Sequence, residues 1–187
     1  MRRLVLAAAA LAALLALSAP AGARGATGPH TESASSGGVS ARLTYVVRRF
    51  SQASDVRLAV TRSGAPAALD GDLDNLCDGC AGAVPVGGLE GSKARSITLA
   101  DLTADGEPEI LVDLYTGGAH CCSVTAIYGW DAAASRYRRT VRDWGDPGYR
   151  LVRLPGGAGR GLVSADDRFA YRFCAYVCSA MPIEVLR

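Results

Sequence analysis

The stretch SITLADLTADGEPEILVDLYTGGAHCCSVTAIYGW, residues 96–130, decides the fold. It contains three short apolar runs, Ser96 to Leu99, Glu109 to Tyr115 and Cys122 to Trp130, and each is followed by residues that favour turns. Short runs of branched and aromatic side chains bounded by glycine, proline and aspartate are typical of β-strands. The sequence therefore predicts three strands joined by loops in this region.

The same pattern extends in both directions from this stretch. Residues 39–69 alternate between apolar and polar side chains and predict two or three antiparallel strands. Residues 70–92 have the composition of a loop. Later strands are predicted at Arg136–Val141, Tyr149–Leu154, Gly161–Ala165, Phe169–Phe173 and Ile183–Leu186. We expect an all-β fold with little helix, a small antiparallel partial propeller or sandwich that is disulfide-bonded.

The N-terminal residues have the pattern of a signal peptide. Arg2 and Arg3 precede an apolar run of 14 residues, and Ala21-Gly22-Ala23 supplies the small residues that a signal peptidase requires. The run is shorter than the about 20 residues of a membrane span, although an uncleaved anchor is the alternative. We interpret residues 1–23 as a signal peptide, residues 24–38 as a flexible leader rich in small polar residues, and residues 39–187 as a single β domain.

Charge and location narrow the classes of partner. The chain has 20 basic and 18 acidic residues, and removal of Arg2 and Arg3 leaves 18 of each. A neutral protein has no electrostatic reason to bind nucleic acid or an acidic membrane surface. We therefore expect a secreted, extracellular protein with no nucleic acid partner and no membrane association after cleavage, and with an extracellular protein or glycan as the unidentified ligand.

The cysteines form three close pairs in sequence. An even number of cysteines in an exported protein indicates disulfides. Two pairings remain open: local bonds within each pair, or bonds from the first pair to the second. A zinc site that includes His120 is a further alternative. The candidates are Cys77, Cys80, Cys121, Cys122, Cys174 and Cys178.

An acidic loop at residues 101–109 has the spacing of a calcium site. Oxygen-bearing side chains stand at its first, third, fifth and ninth positions, as Asp101, Thr103, Asp105 and Glu109. Calcium takes six to eight oxygen ligands, and the Glu107 carbonyl would supply the seventh-position ligand. The other interpretation of this segment is a solvated turn.

This loop resembles the calcium loop of the FG-GAP/VCBS family of secreted β-propeller-type repeats, D-x-[DN]-x-D-G-x-x-[DE] followed by a strand. The resemblance covers about residues 96–130, and Thr103 departs from the usual aspartate or asparagine. It implies calcium as the bound ion and a binding or adhesion module, because enzymes are a minority of the family. A second candidate loop carries Asp70, Asp72, Asp74 and Asp78, but no strand follows it.

These observations predict a secreted, calcium-stabilised binding or structural module without catalytic activity. The alternative is a small secreted hydrolase that uses His120 with nearby acids. Such a hydrolase should have a closed pocket that joins His120 to Asp113 or Asp143, whereas a binding module should present an open loop face. Trp144 and Tyr149 lie in an aromatic turn and either bind a sugar or cap the core; the core position is the more frequent one for such residues.

Overall fold

The computed structural model describes residues 27–48, 52–119, 122–157 and 159–186. These residues form an all-β fold, as predicted, and their strands make three antiparallel sheets. Its short 3-10 turns are Val86–Gly88, Pro155–Gly157, Asp167–Phe169 and Tyr176–Cys178. The strands are β1 Gly28–Ser36, β2 Val39–Arg48, β3 Gln52–Arg62, β4 Ala65–Pro66, β5 Val84–Pro85, β6 Ile97–Ala100, β7 Glu109–Tyr115, β8 Ser123–Asp131, β9 Arg136–Gly145, β10 Arg150–Arg153, β11 Arg160–Ala165 and β12 Ile183–Leu186.

The predicted signal peptide, residues 1–23, lies outside the described residues. Within the described ranges, no helix has the length and hydrophobicity that crossing a membrane requires.

The first sheet has the strand order β1-β2-β3-β4. Along β2 every second residue is buried, from Val39 to Val47, and the residues between them are more exposed. This alternation follows from the two-residue repeat of a strand and gives the sheet one apolar face. That face packs on the central sheet, and residues of both sheets belong to the same buried cluster.

Strand β1 corrects the prediction of a flexible leader over residues 24–38. Gly28–Ser36 pairs with β2 in continuous antiparallel register, from Gly28 opposite Val47 to Ser36 opposite Val39. The side chains of β1 are mostly polar, so the sequence there lacks the alternation of apolar and polar residues that would predict a strand. The strand is held instead by backbone pairing and by Glu32, which accepts hydrogen bonds from the Ser96 amide at 2.8 Å and from the Tyr45 hydroxyl at 2.9 Å.

The central sheet has the order β5-β7-β8-β9, with β6 also paired to β7. Strand β7 is covered on both faces. Ile110, Val112 and Leu114 face the first sheet, whereas Leu111 belongs to a second cluster on the opposite side. A strand buried on both sides needs an almost continuous apolar sequence, which explains the run that starts at Ile110.

The C-terminal sheet has the order β10-β11-β12 and packs on the second face of the central sheet. Its contact is small: the fully buried members of this cluster are Ala100, Leu111, Trp144 and Leu162. The strand predicted at Phe169–Phe173 is wrong, because a 3-10 turn occupies Asp167–Phe169 and irregular structure follows. Asp166 caps this turn by accepting a hydrogen bond from the Arg168 amide, which stops the extended conformation there.

Candidate functional site

The acidic loop connects β6 to β7 and is closed by its own carboxylates. Asp101 accepts hydrogen bonds from the amides of Ala104 at 2.7 Å and Gly106 at 2.9 Å, and Asp105 accepts one from the Glu107 amide at 2.8 Å. Gly106 has a φ of 86°, a conformation that favours glycine. These contacts form a tight, exposed turn at the end of the β6–β7 hairpin.

The two glutamates of the loop point to different partners. Glu109 accepts a hydrogen bond from the Leu102 amide at 2.8 Å, and burial raises the pKa of its carboxyl, with smaller contributions from the charges of Asp105 and Asp101. The Glu107 carboxylate forms an ion pair with Arg62 on β3. The loop is thereby anchored to the first sheet.

The side chains of the acidic loop offer the oxygen ligands that calcium prefers, but in the structure they do not point towards a common centre. In the part of the chain that the structure describes, no three histidine, cysteine, aspartate or glutamate side chains converge as a metal-binding group. Asp101 and Asp105 serve the loop backbone, and Thr103 is exposed. The arrangement does not fit a bound calcium ion without movement of these side chains.

The second acidic loop is neutralised by arginines. Arg57 contacts Asp72 at 2.8 Å and Asp74 at 3.0 Å, and Arg139 contacts Asp70 at 2.9 Å. Asp74 also accepts a hydrogen bond from the Val56 amide at 2.9 Å. Strand β3 and strand β9 therefore hold this loop through ion pairs, and its carboxylates do not face a common centre.

The structure confirms two local disulfides. Cys77 bonds to Cys80 and Cys174 bonds to Cys178, with Cα–Cα distances of 5.1 and 5.9 Å. The alternative pairing of Cys77 and Cys80 with the 121–122 pair is therefore wrong. Cys122 is disulfide-bonded as well. The predicted bond between Cys121 and Cys122, and any role of His120, involve residues outside the described ranges.

Asp113 is a half-buried residue of β7 that belongs to a polar network. Its carboxylate accepts hydrogen bonds from the hydroxyls of Thr125 at 2.7 Å and Tyr149 at 3.2 Å. Thr125 in turn accepts a hydrogen bond from the Trp144 indole at 2.9 Å. Burial raises the pKa of the Asp113 carboxyl, since its two hydroxyl partners offset only part of the cost of desolvating the charge.

The prediction of an aromatic turn from Asp143 is wrong for its first residues, because β9 extends to Gly145 and carries Trp144 into the core. Trp144 is buried in the second cluster and its ring lies 4.9 Å from that of Tyr149, centroid to centroid. A ring that stacks on a sugar must be accessible, so Trp144 does not form a sugar platform. The prediction that these aromatics belong to the core is confirmed for Trp144.

A cleft of about 410 Å³ lies between the end of β9 and the C-terminal segment, and we name it the β9 cleft. One ion pair, Arg142 with Glu184 of β12, spans it, and a second, local pair of Arg168 with Asp166 lies on its C-terminal wall. The hydrogen-bonded guanidinium of Arg168 lowers the pKa of the Asp166 carboxyl. The lining also includes Cys122, Asp143, Gly145, Ala165 and Asp167.

Two carboxylates of the β9 cleft stand apart from these ion pairs. Asp143 accepts a hydrogen bond from the Gly145 amide at 2.9 Å. Asp167 packs over Gly145, where a Cβ atom would lie 2.2 Å from its carboxyl carbon, and its Oδ1 atom is buried without a hydrogen-bond partner in the described structure. The sequence showed both acids, in Asp143-Trp144-Gly145 and in the pair at Asp166, but it gave no indication that they meet.

Comparison with known proteins gives two partial similarities. Over 84 residues the chain is 34% identical to an uncharacterized protein of Sinorhizobium fredii, covering 42% of this chain and 12% of that protein. Over 105 residues it is 31% identical to a probable thylakoid lumen protein of Synechocystis sp., covering 52% of this chain and 30% of that protein. The chain thus spans less than a third of either relative.

No family model and no solved structure matches the chain. The similarity to a lumen protein and the disulfides together indicate a location outside the cytoplasm, because disulfides persist in oxidising compartments.

Proposed function

We propose that this protein is a secreted, calcium-stabilised binding or structural module without catalytic activity, and that the β9 cleft is its binding surface. The observation that carries this proposal is the charge arrangement of the cleft. Arg142 and Arg168 each neutralise one acid, and Asp143 and Asp167 remain as an excess of negative charge. A ligand that complements this surface brings positive charge or hydroxyl donors, as a basic peptide or a glycan does.

The polar network around Asp113 supports a structural role over a catalytic one. Both carboxylate oxygens accept hydrogen bonds from Thr125 and Tyr149, and Asp113 does not line the β9 cleft. A hydrolase that uses His120 requires a carboxylate placed to orient the imidazole. The hydrolase alternative names two acids, Asp113 and Asp143, and of these two only Asp143 lines the β9 cleft. That alternative therefore requires His120 to pair with Asp143.

Calcium enters the proposal as a stabilising ion at residues 101–109, and its binding requires Asp101 and Asp105 to turn from the loop amides towards the ion. It is supported by the residue types of the loop and by its resemblance to the FG-GAP/VCBS loop. The loop packs on the β10–β11 turn: a Cβ atom at Gly159 would lie 2.4 Å from the Leu102 carbonyl oxygen. Order in the loop therefore supports the C-terminal sheet, and through β12 one wall of the cleft.

A titration of the exported protein followed by backbone amide NMR tests the binding surface. The probes are trilysine, which is cationic, and maltotriose, which is neutral and rich in hydroxyls. We expect one of them to shift the amides of residues 142–145 and 166–168, and the Asp143→Asn/Asp167→Asn variant to lose the shifts. Glu90→Gln, at an exposed loop position, is the matched control. Absence of shifts at the cleft with both probes would overturn this assignment.

The same samples test the absence of catalysis. We expect the wild-type protein to hydrolyse p-nitrophenyl acetate no faster than the His120→Ala variant does. A faster wild-type reaction that both His120→Ala and Asp143→Asn abolish would establish the hydrolase instead.

A further inference from the structure

Strand β9 is an edge strand of the central sheet, and only the first half of its outer edge is covered. Among the described strands, β9 pairs with β8 alone. At the start of β9 the Tyr137 amide donates to the Ala68 carbonyl at 2.9 Å, and the Arg139 side chain donates to the Asp72 carbonyl at 2.8 Å. Beyond residue 139 no described strand pairs with the outer side of β9. We name residues 140–145 the open edge of β9.

The open edge presents backbone groups that a further strand can use. In an antiparallel sheet, alternate residues of a strand direct both the amide and the carbonyl to the same side. Because the Tyr137 amide points outward to Ala68, the amide and carbonyl of Val141 point outward as well, and Thr140 and Arg142 pair with β8. No described residue hydrogen-bonds to the outward groups of Val141. An extended peptide can therefore continue the sheet at this position.

The β9 cleft runs along the open edge. Arg142 and Asp143 are successive residues of β9, so their side chains point to opposite faces of the central sheet, yet both line the cleft. A cleft that is lined from both faces lies beside the edge of the strand. From Val141 to Gly145 the strand extends about 13 Å, which is the length of about four residues of an extended peptide. The cleft volume of about 410 Å³ is in the range of ligand-binding sites.

The charge of the cleft selects a basic peptide over the other possible occupants. Two arginines and four acids line the cleft, which leaves a formal excess of two negative charges. A second copy of this chain is disfavoured at the edge, because β9 carries four arginines that would face those of the other copy. A glycan has no regular series of backbone amides and carbonyls with which to continue the sheet. The four acids are Asp143, Asp166, Asp167 and Glu184.

We propose that the open edge of β9 binds an extended basic peptide, which adds a strand to the central sheet within the β9 cleft. This inference rests on the proposed function, in which the cleft is the binding surface. The peptide backbone pairs with the outward amide and carbonyl of Val141, and its cationic side chains lie beside Asp143 and Asp167.

Isothermal titration calorimetry with two peptides tests the backbone pairing on the wild-type protein. The probe is acetyl-Lys-Val-Lys-Val-Lys-amide, and its matched control has the same sequence with methyl groups on the second and third backbone amides. The methyl groups block one donor on each edge of the peptide and leave its charge and side chains unchanged. We expect the methylated peptide to bind about 10-fold more weakly or worse, because a hydrogen bond is lost and its partner carbonyl is left unpaired.

Amide hydrogen exchange locates the contact in the protein. We expect saturation with the unmethylated peptide to slow exchange of the Val141 amide about 10-fold or more. Val141→Pro removes this donor and should weaken peptide binding about 10-fold, while the pairing of Thr140 and Arg142 with β8 is kept. Ala132→Pro, in the exposed β8–β9 turn, is the matched control and should bind like the wild type. Circular dichroism verifies the fold of both variants.

The outcomes separate this inference from the proposed function. Equal affinity for the two peptides, with the amides of residues 142–145 shifted by both, would overturn the added strand and leave the cleft as a binding surface. Cleft amides that shift with maltotriose and with neither peptide would assign a glycan and overturn the inference. Absence of shifts at the cleft with trilysine, maltotriose and both peptides would overturn the inference together with the binding surface itself.

Discussion

Replacement of Glu32 by alanine is a direct test of the connection between β1 and the central sheet. Glu32 accepts hydrogen bonds from the amide and hydroxyl of Ser96 and from the hydroxyl of Tyr45. Ser96 is fully buried and Tyr45 is 2% exposed. The variant removes the acceptor and leaves these donors inside the protein.

The expected magnitude follows from the buried donors. The Ser96 amide and the Tyr45 hydroxyl each cost about 1–3 kcal/mol when left without an acceptor. Glu32 itself is half-buried, so water reaches part of the site and the loss lies towards the lower end. We expect Glu32→Ala to lower the free energy of unfolding by about 2–4 kcal/mol and Tm by about 4–16 °C. Glu32→Gln keeps one acceptor oxygen and should lose about half as much.

Urea unfolding of the oxidised protein, followed by circular dichroism, measures the effect. Glu90→Ala is the matched control, because this glutamate is exposed and the same side chain is removed. Its change should stay within about 0.5 kcal/mol. If Glu32→Ala unfolds at the same urea concentration as Glu90→Ala, then β1 does not contribute to the fold as described.

Three further outcomes are expected. The Tm in about 1 mM calcium should be about 3–6 °C higher than the Tm in a chelator. Asp101→Ala should remove this difference and Asp166→Ala should keep it. Equal wild-type melting curves with calcium and with chelator would show that the loop is a solvated turn. Because the pKa of Asp113 is raised in the folded protein, ionisation of this carboxyl lowers the free energy of unfolding as pH rises. Asp113→Asn should therefore be more stable than the wild type at pH 7 and as stable as the wild type near pH 3. If urea unfolding gives the same difference in stability at both pH values, this reasoning is contradicted. Gly145→Ala should lower Tm by several degrees, since its φ is 63° and the added Cβ meets Asp167; an unchanged Tm would refute this close approach.

Strands β6 to β9 of the central sheet were predictable because they carry apolar and aromatic residues, whereas β5, Val84–Pro85, lies in the segment that was predicted to be a loop. Strand β7 is apolar at five of its seven positions, and β8 and β9 follow it after turn residues. Strand β1 was missed because its pairing with β2 uses backbone groups, and its anchor Glu32 has a partner 64 residues away. Hydrophobic periodicity carries no information about such a contact.

The candidate site was less accessible to sequence reasoning. The acidic loop was identified from spacing, but the convergence of its side chains depends on rotamers that spacing does not determine. The β9 cleft joins Asp143 to Asp167 and Arg142 to Glu184 across more than 20 and 40 residues. Only the order of the strands brings these charges together, and no local motif encodes that order.

The unequal size of the two buried clusters has a consequence for how the protein opens. The contact of the C-terminal sheet with the central sheet rests on four fully buried residues, whereas more than twenty form the main core. Regions with few buried apolar contacts exchange their amide hydrogens through local openings of low free energy. We therefore expect strands β10 to β12 to open before the rest of the protein, and in that partly open state the β9 cleft would lose its outer wall.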